Sequence, residues 1–189
     1  MGASEPRLLV LASASPQRRA ILARLGVEFE VRPTGVQELS NGDPAAVALE
    51  NALRKARAAR DPARSELVLG VDTLVELDGR IYGKPADAAE ARATLAALAG
   101  ERHTVISGLA LLQDEQERTT VAVTRVHFRE LAPETIEWYL STGEWLDRAG
   151  AYAIQGVGAA LVRAIEGDYE NVVGLPLAAL LDLHPGLIG

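Results

Sequence analysis

The sequence predicts an α/β protein with an elongated mixed sheet and flanking helices. In the first part of the 189-residue chain, short apolar runs typical of buried strands alternate with apolar residues at helical spacing. Two long strand-like runs in the middle are typical of an antiparallel pair. Hydrophobic residues make up 48% and charged residues 24%, as in an ordinary globular protein. Because no repeat or linker divides the chain, we expect one domain over residues 1–189.

The first strand and helix are joined by a polar turn. Residues 8–12 fit a buried strand, and helical spacing follows the proline at position 16. The turn supplies the hydroxyls of Ser13 and Ser15, and Arg18 adds positive charge. A helix start presents unpaired N–H groups to an anion, so this turn is a candidate phosphate site. An N-cap serine beside solvated arginines would explain the same residues equally well.

Apolar spacing, caps and turn residues predict the remaining elements in order. They are a strand at 27–32, a helix beginning at Asp43 or Pro44, a strand at 66–77, a hairpin turn at 78–79 with a return strand at 80–82, a helix at 86–99 closed by Gly100, strands at 103–112 and 119–128 joined by a turn at 113–118, a helix at 133–140, a strand at 159–165, a polar turn at 166–171 and a last helix to about residue 183.

Asp72 interrupts the apolar run of the predicted strand 66–77. A carboxylate in a buried strand is costly unless it is paired, hydrogen-bonded or bound to a metal, although a turn at a strand end is the alternative. The hairpin that follows would return Lys84 to its neighbourhood. Lys55 in the second helix becomes notable only beside these residues, because most such lysines are solvated. His103 and His127 are single histidines, which are more often structural than catalytic.

Composition excludes several classes of function. The chain has no cysteine, so it has no disulfide, no thiolate zinc site and no cysteine nucleophile. The net charge of −7 argues against a nucleic-acid-binding surface. No apolar stretch approaches the roughly 20 residues of a membrane span, and we expect a cytoplasmic protein without a membrane partner.

Five spaced motifs together resemble the Maf family. They lie at residues 13–18, 70–73, 83–85, 149–156 and 171–176. The resemblance implies a Maf/Ham1-like fold with two lobes around a cleft, often in a homodimer. It also implies a pyrophosphatase that cuts a nucleoside triphosphate to the monophosphate and pyrophosphate with a divalent cation, Mg²⁺ or Mn²⁺.

The resemblance also assigns roles to single residues. Asp72 would act on the attacking water, and Asp72 and Glu38 would hold the metal, because hard cations prefer carboxylate oxygens. The cations that would neutralise the triphosphate are Arg18, Lys55 and Lys84. We expect Ser13 and Ser15 to bind substrate as well.

Three positions bear on the base that is accepted. Thr73 and Gln155 look like the branch that acts on dTTP and UTP, whereas Gln17 departs from it because arginine is common there. A 7-methyl-GTP or inosine-type triphosphate pyrophosphatase is the alternative within this class. A non-enzymatic nucleotide-binding regulator of septum formation is the alternative outside it.

Overall fold

A computed structural model of the chain describes residues 8–188. The ends of the predicted domain 1–189 therefore lie outside the described residues. The strands are β1 (Leu9–Leu11), β2 (Phe29–Val31), β3 (Leu67–Leu77), β4 (Arg80–Tyr82), β5 (Arg102–Gln113), β6 (Gln116–Phe128) and β7 (Val162–Glu166). The helices are α1 (Pro16–Arg24), α2 (Pro44–Ala59), α3 (Ala88–Leu98), α4 (Pro133–Ser141), α5 (Tyr169–Val173) and α6 (Leu177–Leu183).

The seven strands form one mixed sheet, which confirms the predicted fold class. The strand order is β2-β1-β3-β5-β6-β7, and β4 pairs with β3. β1 runs parallel to β2 and β3, whereas every other pair in this sheet is antiparallel. The predicted long antiparallel pair is β5 and β6. Across residues 8–188, no helix is long and apolar enough to cross a membrane.

One side of β3 is divided between two partners. Its first three residues pair with β1, and its last three, 75–77, pair with β4. Residues 70–74 of β3 therefore have no strand beside them on that side, within the described part of the chain. This gap adjoins the carboxyl end of β1, the edge at which α/β sheets commonly bind ligands.

Two large apolar cores lie along β3, one toward each end. Leu67, Leu69 and Val71 join a core formed with β1, α1 and α6. Val75 joins a second core formed with α3, α4 and the segment 151–161. Thr73 falls between these cores, and Asp72 falls on the other face of β3 between two smaller cores that contain Val68 and Leu74, in agreement with the predicted two lobes around a cleft.

Close packing of α2 on the sheet depends on two glycines. A Cβ atom on Gly70 of β3 would lie 2.1 Å from the carbonyl oxygen of Ala52. A Cβ atom on Gly108 of β5 would lie 2.3 Å from the carbonyl oxygen of Ala48. The helix can approach this closely because its sheet-facing residues include small alanines. This approach brings the polar side chains of α2 directly over β3.

Several predicted boundaries were wrong, and four of them have a clear local reason. α3 begins at residue 88 rather than 86, because the Asp87 side chain accepts a hydrogen bond from the Glu90 N–H and caps the helix there. The turn after β5 has only two residues, because Asp114 adopts the positive φ (51°) that a tight hairpin requires. Residues 156–161 form a 3-10 helix, so β7 starts at residue 162. The predicted turn 166–171 contains the start of α5, capped by Asp168.

Candidate active site

Asp72 lies within β3 and is only 4% exposed. Its Oδ1 accepts a hydrogen bond from Lys55 Nζ at 2.6 Å, and its Oδ2 accepts one from Asn51 Nδ2 at 3.0 Å. Asn51 and Lys55 are neighbours on one face of α2, because residues four apart in a helix lie one above the other. The turn alternative for Asp72 is therefore wrong, and the carboxylate is buried and paired.

Lys55 also joins Glu38 to this cluster. Its Nζ lies 2.6 Å from Glu38 Oε1 and 2.6 Å from Asp72 Oδ1. The lysine side chain is 12% exposed, whereas Glu38 is 51% exposed. The two carboxylates predicted to hold a metal thus meet around one positive charge, at a position open to solvent on the Glu38 side.

The opposite face of β3 carries a second polar cluster, since successive strand residues point to opposite faces. The Arg18 guanidinium donates to the carbonyl oxygen of Gly174 at 2.8 Å, to Ser13 Oγ at 2.9 Å and to Thr73 Oγ1 at 3.1 Å. A hydrogen bond of 2.8 Å joins the hydroxyls of Thr73 and Ser107. Arg18 therefore links α1, to which it belongs, with β3 and with the turn after α5.

Burial and the neighbouring negative charges shift the pKa of Arg18 in opposite directions. Burial lowers the pKa of its guanidinium, and the negative charges of Asp72 and Glu38 partly offset that shift. Arginine stays protonated at neutral pH in proteins, so the group remains a cation. The two clusters are thus linked electrostatically as well as through the adjacent residues 72 and 73.

Ser15 caps α1, as one of the two explanations of this turn predicts, but the same explanation was wrong in taking Arg18 as solvated, because this side chain is buried. Its Oγ accepts from the Arg18 N–H at 3.4 Å and bonds to Gln17 Oε1 at 3.1 Å. The Ser15 N–H in turn donates to Ser13 Oγ at 3.2 Å. Phosphate binding by this turn stays a prediction.

Lys84 and Gln155 lie on segments that meet beside the end of β3. Both side chains are exposed, and no hydrogen bond or ion pair within residues 8–188 joins either of them to the two polar clusters. The segments contact each other through the Gly150 N–H, which donates to the carbonyl oxygen of Gly83 at 3.1 Å. The structure therefore places Lys84 on the exposed segment after β4, and its predicted contact with a phosphate stays a prediction.

The loop around Gln155 is held by a carboxylate. Glu144 accepts hydrogen bonds from the N–H groups of Val157 at 3.1 Å and Gly158 at 3.0 Å. Gly156, which precedes both, has a φ of +68°, and a Cβ atom there would lie 2.3 Å from Glu144 Oε1. The positive φ favours glycine at this position, which explains one residue of the motif at 149–156.

Neither histidine singled out by the sequence belongs to these clusters. His103 is fully buried, and its Nε2 lies 2.8 Å from the Tyr152 hydroxyl in an aromatic group that includes Phe128. His127 Nε2 lies 2.8 Å from Glu166 Oε1. These contacts support the structural explanation of both residues.

Sequence reasoning missed three residues that organise the site: Asn51, Ser107 and Glu144. Asn51 could have been noticed as a polar residue within the apolar face of α2, four positions before Lys55. Ser107 is directly opposite Thr73 in the β3–β5 register, so a reliable pairing would have identified it. Glu144 carries no sequence signal of its own, because its partners are backbone N–H groups.

Comparison with known proteins gives one family. The model described as Maf-like protein matches residues 8–185. The relatives named dTTP/UTP pyrophosphatase include proteins from Moorella thermoacetica and Gloeobacter violaceus. The first is 52% identical over 179 residues, covering 93% of this chain and 92% of the relative. The second is 48% identical over 177 residues, covering 93% of each. A relative of the same name from Pyrococcus furiosus is 43% identical over 177 residues, again covering 93% of each.

Proposed function

Since this chain belongs to the Maf family, we propose that it is a nucleoside triphosphate pyrophosphatase that hydrolyses dTTP and UTP to the monophosphate and pyrophosphate. The substrates are those in the names of its relatives, which match nearly the whole chain. The observation that carries the proposal is the meeting of Asp72 and Glu38 around the Lys55 ammonium, at the gap in the sheet beside β1. Carboxylates and cations are the groups that metal-assisted triphosphate hydrolysis requires.

The acidic residues fit a divalent cation. Mg²⁺ is usually held by one or two carboxylates together with substrate phosphates, and Asp72 and Glu38 already share one cationic partner. No group of three or more His, Asp or Glu side chains able to hold a metal occurs within residues 8–188, so substrate oxygens and water would complete the coordination. A Mg²⁺ or Mn²⁺ ion bound there would neutralise phosphate charge and increase the acidity of water.

Residues of the chain would activate the water and bind the phosphates. Asp72 orients the attacking water and accepts its proton, because its carboxylate is fixed on both oxygens by α2. Lys55 lies on the solvent-accessible side of Asp72 and can bind a phosphate oxygen, as can Lys84 on the exposed segment after β4. Arg18, with Ser13 and Ser15, provides positive charge and hydrogen-bond donors on the other face of β3. Together they stabilise the charge that develops on the phosphates.

The residues proposed to recognise the nucleotide base flank the cleft. We propose that Thr73 and Gln155 contact the pyrimidine edge, and that Gln17 contributes hydrogen bonds without the charge of an arginine. Glu144 supports this role for Gln155, because it fixes the backbone of the loop that follows. A homodimeric assembly belongs to the proposal through the family resemblance alone, and a cytoplasmic location through the composition and the short apolar runs of the sequence.

Pyrophosphate release from a panel of nucleoside triphosphates tests the proposed substrate. The panel contains the canonical nucleotides, 7-methyl-GTP and inosine triphosphate, each with Mg²⁺ and with Mn²⁺. We expect selective release from dTTP and UTP that chelation of the metal abolishes. Selective release from 7-methyl-GTP or inosine triphosphate would contradict the assigned base. Binding of dTTP without release from any nucleotide would favour the regulatory alternative.

A further inference from the structure

Asn51 is a buried amide beside the acidic cluster, which is formed by Asp72, Glu38 and Lys55. It is 1% exposed and belongs to the sheet-facing side of α2. Its Oδ1 accepts from the Leu39 N–H at 2.8 Å. Its Nδ2 donates to the Leu39 carbonyl oxygen at 3.0 Å and to Asp72 Oδ2 at 3.0 Å. One side chain therefore contacts both β3 and the segment before α2.

The chemistry of these contacts requires an amide in one orientation. The oxygen meets an N–H donor, and the two N–H groups meet a carbonyl oxygen and a carboxylate. Rotating the amide by half a turn would place like groups against each other at all three contacts. Aspartate has the same shape but no donor, and leucine has neither donor nor acceptor, so only asparagine satisfies the three partners.

The segment held by Asn51 carries Glu38. Residues 32–43 between β2 and α2 contain no helix or strand, and residues 37–43 are exposed. Within this segment, both backbone polar groups of Leu39 bind Asn51. Because Glu38 is the preceding residue, this clamp fixes the stretch of backbone from which its carboxylate reaches Lys55.

We propose that Asn51 is a positioning residue that holds Glu38 and Asp72 in one arrangement for hydrolysis. The inference rests on the proposed function. In this role Asn51 does not touch the substrate. It keeps the carboxylates of Glu38 and Asp72, which are 34 positions apart in the sequence, beside the same cation. A displacement of a catalytic group by about 1 Å can lower a rate about a hundredfold.

The test compares Asn51→Leu with Glu66→Gln. Glu66 is the control because it is also a buried polar residue, and its partners lie outside the acidic cluster: its carboxylate pairs with Arg32 at 2.7 Å and accepts a hydrogen bond from the Asp61 N–H at 3.0 Å. It lies just before β3, six positions before Asp72. The measurements are hydrogen exchange of the Leu39 amide and steady-state hydrolysis of dTTP.

We expect Asn51→Leu to increase exchange of the Leu39 amide at least tenfold and to lower kcat about a hundredfold, with a much smaller change in KM. Glu66→Gln should leave the Leu39 amide and kcat unchanged. Wild-type kcat in folded Asn51→Leu, or a Leu39 amide that is unprotected in the wild type, would overturn the inference.

A second variant covers the case in which Asn51→Leu does not fold. Asn51→Asp keeps the acceptor for the Leu39 N–H and removes both donors, so we expect Leu39 to stay protected while kcat falls. Unchanged kcat in this variant would overturn the role toward Asp72. If the wild type releases no pyrophosphate from dTTP or UTP, the proposed function fails, and Leu39 exchange in the variants still decides whether Asn51 holds the segment.

Discussion

At the scale of single residues, the site depends on the alternation of side chains along β3. Asp72 points toward α2, where Lys55 and Asn51 bind its two oxygens. Thr73 points to the other face and meets Arg18. Two adjacent residues thus connect an acidic cluster and a basic cluster across one strand.

The same scale shows which site residues sequence reasoning can find. Asp72 was predictable because a carboxylate within an apolar run requires a partner. Asn51 could be noticed as a polar residue in an apolar helix face, but its role could not be predicted, because its partners Leu39 and Asp72 are 12 and 21 positions away in the sequence. Arg18 was predicted for its charge, yet its contact with Gly174 spans 156 positions and depends on the tertiary fold.

His103 leads to a prediction on stability. Burial, with a smaller contribution from the charge of His127, lowers its pKa from 6.5 to about 4. The unfolded chain therefore binds this proton more readily than the folded protein. The contribution of neutral His103 to stability is complete above pH 6.5 and is lost as the pH falls from 6.5 to about 4.

Urea denaturation across that pH range measures the effect. We expect the free energy of unfolding of the wild type to fall by up to about 3 kcal/mol more than that of His103→Gln, which keeps a polar partner for Tyr152 but does not titrate. Equal pH dependence of the free energy of unfolding in the two proteins would show that His103 does not cause this loss of stability.

At the scale of elements, the distance between α2 and the sheet is the controlling feature. Gly70 and Gly108 allow the helix backbone to approach, and this approach lets Asn51 and Lys55 reach Asp72. The helix and both strands were predictable from their apolar patterns. Their separation was not, because it depends on which glycine faces which alanine in the folded protein.

Substitution of Gly108 tests this packing. In Gly108→Ala the new methyl group would meet the Ala48 carbonyl oxygen, so α2 must shift. We expect a loss of about 1–3 kcal/mol in the free energy of unfolding, together with reduced kcat. Gly186→Ala is the control, because a Cβ atom there meets nothing within 4 Å. Wild-type stability of Gly108→Ala would contradict the close approach.

At the scale of the whole molecule, the site lies where two apolar cores meet. Each core contains one end of β3, and among the described residues the gap between its pairings with β1 and β4 leaves residues 70–74 without a neighbouring strand on that side. Under the proposed function, a protein with a net charge of −7 would bind a triphosphate there through Arg18 and Lys55, the cations that are largely buried at this boundary. The two lobes followed from the family resemblance, whereas composition and periodicity indicated only the mixed sheet.

The most direct test of the account is pyrophosphate release from dTTP by Asp72→Asn beside Asp78→Asn. Both variants replace a carboxylate by an amide, but Asp78 lies exposed in the hairpin turn after β3. We expect Asp72→Asn to lose at least a hundredfold in kcat, as removal of a general base does, while Asp78→Asn keeps the wild-type rate. Wild-type turnover by folded Asp72→Asn would contradict the central claim that this buried carboxylate performs the hydrolysis.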